Sequence, residues 1–134
     1  YFDDVQNLAV LSRLAKALKP GGRVLIDVLN RDKVIQDLPT RSWWEGEGCL
    51  IQEDAEFDVI TSRLTVKRLL VSADGGQREA LISIRAYSAH ELVEMMRLVD
   101  LEVVDVSGSA HTIGAFFPSQ NHRLMVTGRR GGIR

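Results

Sequence analysis

Several functional classes leave marks that this chain lacks. It holds one cysteine, Cys49, so no intrachain disulfide is possible. Its three histidines, His90, His111 and His122, have no metal-ligand spacing, and Cys49 stands apart from them, which argues against a zinc or iron site. No apolar run approaches the roughly 18 residues that span a bilayer, so no membrane partner is expected. The start, Tyr1-Phe2-Asp3-Asp4, is acidic and lacks the basic-then-apolar layout of a secretory signal. Together with the single cysteine, this points to a reducing, cytoplasmic compartment. The net charge of -1 provides no basic field for nucleic acid. There is no internal repeat and no low-complexity segment. There is also no initiator methionine, so the expectation is that the chain continues a longer polypeptide.

What is present is enough for one domain with a core, in 134 residues of ordinary apolar content. Val5, Leu8, Leu11, Leu14, Ala15 and Leu18 recur at helical spacing and predict a helix over Asp3–Leu18, capped by Asp3 or Asp4. Pro20-Gly21-Gly22 stops it, a glycine taking the left-handed closing conformation. Arg23–Val28 follows, apolar on both faces apart from Asp27, which reads as a central strand covered on both sides. Leu29–Gly48 reads as irregular. Three strand-like runs come next, about 49–59, 63–72 and 77–87, with the tightest turn at Asp74-Gly75-Gly76. They predict an antiparallel β insert over about 49–87. Ser88-Ala89-His90-Glu91 is a capping box opening a second helix. Leu101–Val106 reads as a second parallel-type strand, His122–Gly128 reads simply as a third strand, and 129–134 reads as a flexible tail.

This order of helix, Leu-Lys-Pro-Gly-Gly, strand, antiparallel insert, capped helix, strand, loop and strand resembles class I S-adenosylmethionine-dependent methyltransferases. The resemblance is to the small-molecule type with a β-rich insert after the fifth strand. It is carried by Tyr1-Phe2-Asp3-Asp4, Leu18–Leu25, Asp27-Val28-Leu29-Asn30-Arg31, Arg85-Ala86-Tyr87-Ser88, Glu91-Leu92 and Leu101-Glu102-Val103-Val104. It implies an α/β fold, the C-terminal half of a Rossmann-like methyltransferase sheet with an antiparallel β insert. It implies methyl transfer from S-adenosylmethionine to a small-molecule acceptor. The glycine turn and acidic strand end that hold the cofactor in that family have no counterpart in this chain, so the isolated chain is expected neither to bind the cofactor nor to turn over. Tyr1 and Phe2 alone sit where the family's fourth-strand loop meets the cofactor.

The other candidate residues point to the acceptor. Asn30 and Arg31 directly follow the strand Arg23–Val28, at the end where open α/β sheets bind ligands; the competing reading is a turn or helix cap. Arg85 and Tyr87, two apart on a predicted strand, share a face. That face is either a solvated surface with Tyr87 packed on Leu92 or, as the resemblance implies, a polar aromatic wall over the acceptor pocket. Trp43 and Trp44 form either a lid over an apolar substrate or a plug for the insert's core. His111 lies in the last loop, where the family often places substrate-contacting residues. Gly46-Glu47-Gly48 imitates a cofactor turn but neither follows a buried strand nor opens a helix, so it reads as an ordinary turn. In the family's strand order Arg23–Val28 lies beside a fourth strand absent here. The expectation is therefore a homodimer or higher oligomer, joined at that edge or by exchange of the helix Asp3–Leu18. The competing functional reading is a non-catalytic binding or oligomerisation module.

Overall fold

The computed structural model describes residues 2–132. The chain divides into two compact units, Tyr1–Lys33 with Tyr87–Arg134, and Val34–Ala86. Tyr1, Ile133 and Arg134 lie outside the described residues.

In the first unit, α1 (Asp4–Ala17) is capped by Asp3, whose carboxylate accepts from Gln6 N while the Gln6 side chain accepts from Asp3 N. This reciprocal pair satisfies two backbone donors that the helix leaves unpaired. Gly21 takes φ +79° and starts the turn into β1 (Arg23–Leu29). A one-turn helix, α2 (Arg31–Val34), follows. Later in the chain come α3 (Ala89–Leu98), β6 (Leu101–Ser107) and β7 (Arg123–Arg130). Ser88 Oγ accepts from Glu91 N at 3.2 Å and caps α3 as its sequence predicts.

The strand order is β1-β7-β6, and both pairings are antiparallel. β1 and β6 therefore run the same way, with β7 reversed between them. Leu11 and Ala15 of α1, Leu92 and Met96 of α3, Tyr87, Leu101, Leu124 and Val126 form the core. Gly128 is required there. A side chain at that position would meet Met96 Sδ at 3.0 Å and Leu101 at 3.3 Å, so the close approach of α3 to β7 depends on the missing Cβ.

Two expectations are corrected here. β1 is not covered on both sides among the described residues: its burial alternates, and Leu25 is 58% exposed. Val24, Ile26 and Val28 pack on the core, while Arg23, Leu25 and Asp27 occupy the opposite face. The last strand also runs further than expected, into the segment read as a tail. Arg129 and Arg130 belong to β7, where Arg129 pairs with Glu102 at 2.7 Å and Arg130 donates to the carbonyls of Lys16 and Leu18.

The second unit is a four-stranded antiparallel sheet in sequence order: β2 (Thr40–Gly46), β3 (Cys49–Asp58), β4 (Arg63–Ser72) and β5 (Gln77–Arg85). The expected three-stranded insert over 49–87 gains a strand, because the segment read as irregular contains β2 with both tryptophans. Cross-strand register places Ile51 beside Leu70, Ala55 beside Val66 and Val66 beside Ile82, and Phe57 beside Leu64 and Leu64 beside Ile84, a largely apolar face that the Glu53–Arg68 pair interrupts. The turns are built by carboxylates. Asp58 accepts from Ile60 N and Thr61 N, and Asp74 accepts from Gly76 N and from the Ser72 hydroxyl. These bonds hold both carboxyls below the ordinary value of 3.8. Gly75 carries the positive φ, +86°, that the Asp-Gly-Gly turn demands.

Candidate functional site

The C-terminal end of β1 is where the first unit gathers its polar groups. Asn30 ends the strand, its N–H donating to the His122 carbonyl at 2.9 Å. On the other side of the chain, Tyr87 N donates to Leu29 O (3.1 Å) and Arg31 N donates to Tyr87 O (2.9 Å), a short parallel bridge. Tyr87 is thereby held beside Asn30 and Arg31. The Tyr87 hydroxyl accepts from Asn7 Nδ2 of α1 at 2.8 Å, and the ring is buried in the core. Tyr87 is thus built in by both backbone and side chain.

Asn30 is 0% exposed. Its Nδ2 donates to the carbonyls of Pro118 (2.9 Å) and Asn121 (2.7 Å), and its Oδ1 accepts from Asp32 N at 3.2 Å. Asn30 therefore ties the last loop, Gly108–His122, to the end of β1. The loop is knit further by Asn121, whose Oδ1 accepts from Phe117 N at 2.7 Å, and by buried Ser107, whose hydroxyl accepts from Gly114 N at 2.8 Å. Gly108 lies against Asn121, and any Cβ there would fall 2.1 Å from that side chain. The role of Asn121 was not legible in the sequence, because its partners lie on a loop without periodicity.

The structure brings together Asn30, Arg31 and Tyr87. His111 stands exposed in the last loop, its backbone N donating to Ser109 Oγ. Phe2 precedes α1 and is exposed; Tyr1 lies outside the described residues. Trp43 and Trp44 fall on β2 in the second unit, 68% and 41% exposed. Arg85 closes β5 and donates to the Ala86 carbonyl. The strand ends there; Tyr87 lies beyond it, pairs with Asn30 at the end of β1, and belongs to the first unit. Gly46 and Gly48 bracket the β2–β3 hairpin, with Gly48 at φ +68°, an ordinary turn.

Open depressions of about 550 Å³ and 320 Å³ lie on the second unit, and one of about 380 Å³ lies on the first; none of the three is lined by the residues predicted from sequence. Among the described residues no group of three or more His, Cys, Asp or Glu is placed to hold a metal ion, and no helix is long and apolar enough to cross a membrane.

No protein-family model and no curated protein matches the sequence. Solved structures do match. The CcbJ methyltransferase from Streptomyces caelestis superimposes with a TM-score of 0.81 at 17% identity, over 96% of this chain and 55% of its own. An S-adenosylmethionine-dependent methyltransferase from Clostridium acetobutylicum gives 0.81 at 15% identity, over 97% of this chain and 53% of its own. The sugar N-methyltransferase KedS8 from Streptoalloteichus gives 0.58 at 17% identity, over 96% and 50%. The fold is α/β, and it is the fold of S-adenosylmethionine-dependent methyltransferases. The chain spans about half the length of the solved methyltransferases it matches.

Proposed function

We propose that this chain is part of an S-adenosylmethionine-dependent methyltransferase acting on a small molecule, and that it shapes the acceptor side of the site. One observation carries the reading: nearly the whole chain follows methyltransferase structures at a TM-score of 0.81 while spanning about half their length. KedS8 acts on a sugar, which favours a small polar acceptor. The residues of this chain do not themselves suit the cofactor. No glycine turn follows a buried strand in this sequence, and Asn30 at the end of β1 is a buried amide with its donors and acceptor engaged. The part of the site that cradles S-adenosylmethionine is therefore assigned elsewhere in the complete enzyme.

Methyl transfer is an in-line displacement, and its rate depends chiefly on alignment. On this reading the Asn30 amide fixes the last loop, the Tyr87 bridge fixes the entry to α3, and Arg31 stands between them at the strand end. These groups orient an acceptor; none is assigned as a base. Calorimetry on the isolated chain should give no low-micromolar S-adenosylmethionine binding. The complete enzyme should methylate members of a hydroxy- and amino-sugar panel, and Arg31→Ala should raise acceptor KM without changing cofactor affinity. A complete protein that binds S-adenosylmethionine but methylates no small molecule would overturn the acceptor assignment. Tight cofactor binding by the isolated chain would overturn the division of labour.

A further inference from the structure

We propose that Phe117 determines acceptor specificity, as a fixed aromatic platform that stacks on the C–H face of a cyclic acceptor. This role rests on the small-molecule methyltransferase reading, in which Asn30 and Tyr87 are buried and present no ring to a ligand. Ser107 of β6 and Asp27 of β1 both lie opposite Met125 of β7, and the two strands run the same way. The loop that leaves β6 therefore starts at the edge where β1 ends, the edge at which α/β sheets hold ligands. Two phenylalanines follow one another in that loop. Phe116 packs against the core, whereas Phe117 is 56% exposed.

Exposure of one apolar side chain carries no function by itself; the backbone of Phe117 adds the second observation. Its N–H donates to Asn121 Oδ1 at 2.7 Å, and its carbonyl accepts from Gln120 N at 3.0 Å and Asn121 N at 2.9 Å. The ring of Pro118 fixes the next φ, and the Pro118 carbonyl accepts from Asn30 Nδ2 at 2.9 Å. The same nitrogen donates to the Asn121 carbonyl at 2.7 Å. The turn 117–121 is thus clamped on a fully buried side chain at the end of β1. An exposed ring on a clamped backbone has only its two χ torsions to order when it meets a ligand, so contact there costs little. The face of that ring carries partial negative charge and attracts C–H groups, whereas hydroxyls turned onto it would give up water without a partner. A saturated ring with hydrogens on one face and polar groups at its rim meets both demands, and an open chain presents no such face. Arg31 follows Asn30 at the same strand end and carries the donors that a polar rim needs.

Steady-state kinetics of the complete enzyme test this with two acceptor sets that carry the same hydroxyl and amino groups, cyclic sugars and open-chain polyols. Wild type should favour the cyclic set in kcat/KM. Phe117→Ala should raise KM for cyclic acceptors about three- to tenfold while kcat, S-adenosylmethionine affinity and the melting curve hold. Open-chain acceptors should show no change. Phe117→Leu keeps an apolar side chain without a flat face and should lose the same factor, whereas Phe117→Trp should retain the preference. Wild-type KM in Phe117→Leu, or a lowered melting temperature with unchanged KM in Phe117→Ala, means that the ring packs against protein in the complete enzyme and overturns the proposal. Equal losses on cyclic and open-chain acceptors overturn the stacking. Full turnover of sugars by both Phe117→Ala and Phe117→Leu overturns the role of Phe117 alone. A complete protein that binds S-adenosylmethionine and methylates no small molecule overturns the acceptor reading and this role with it.

Discussion

In the unit that contains α1 and α3, Met96, Leu124 and Val126 are fully buried, whereas no side chain within β2 to β5 reaches that state. The two regions use similar apolar residues to different ends. Around β7, helices on one face of the sheet remove side chains from water, and burial supplies the stability. In Val34–Ala86 the strands are joined by short turns, and cross-strand pairs such as Arg68–Glu53 (2.6 Å) and Arg41–Asp54 (2.7 Å) line up along the ladder. Such exposed ion pairs contribute little individually. The second region therefore rests on its turns and backbone pairing more than on a core.

The sharpest way to break this contrast is to delete the same atoms in both regions. Leu124→Ala, at a site with no exposure, should cost about 2–5 kcal/mol. Leu81→Ala, on β5 and 67% exposed, should stay within about 0.5 kcal/mol. Both tryptophans lie on β2, so their fluorescence follows the sheet while far-UV circular dichroism follows the helices. Equal losses for the two variants would show that burial does not separate the regions. Turn chemistry comes next. Gly75→Val should cost about 1–2 kcal/mol, because a β-branched residue resists the φ of +86°. An unchanged tryptophan melt would remove the turn from the account of the sheet.

A local device in the helical region should weigh less. Ser88→Ala removes the partner of Glu91 N and should cost about 1 kcal/mol in denaturant melts. A loss as large as that of Leu124→Ala would mean that capping, not burial, governs this unit. The smallest effect is expected from pH. Asp58 and Asp74 have folded-state pKa values below 3.8, so their contribution is complete above the ordinary carboxylate range and is lost as pH falls through the lower folded values. Asp58→Asn with Asp74→Asn should flatten the acid limb of the tryptophan melt and leave the helical signal unchanged. An acid limb of unaltered slope would show that these turns do not couple to folding.

The parts legible in the sequence are those whose signals are local. The spacing of Leu11 and Ala15, the Pro-Gly-Gly stop, the Asp-Gly-Gly hairpin and the Ser88 cap each lie within one turn of the chain, and each appears in place. β2 was hidden because all its residues are exposed, leaving no alternation to detect. The exposed face of β1 was hidden because Leu25 looks like any core leucine. The tie between Asn30 and the last loop joins residues 88 and 91 positions apart, and no periodicity reports such a contact. The candidate site was therefore half readable. Its place at a strand end follows from general rules of α/β sheets, but its polar wiring depends on non-local partners.

The position of β7 has a consequence for the order of events on the ribosome. It is the last strand among the described residues, where it lies between β1 and β6 and is the one strand paired with β6. Among the described residues no strand joins β1 to β6 directly, so the sheet under α1 and α3 waits until residues 123–130 have been synthesised and released. The hairpins of Val34–Ala86 pair with sequence neighbours and meet no such delay. Vectorial synthesis thus favours the pairing of β2 to β5 before that of β6. A stop codon just before Arg123 would remove the strand with which both β1 and β6 pair among the described residues.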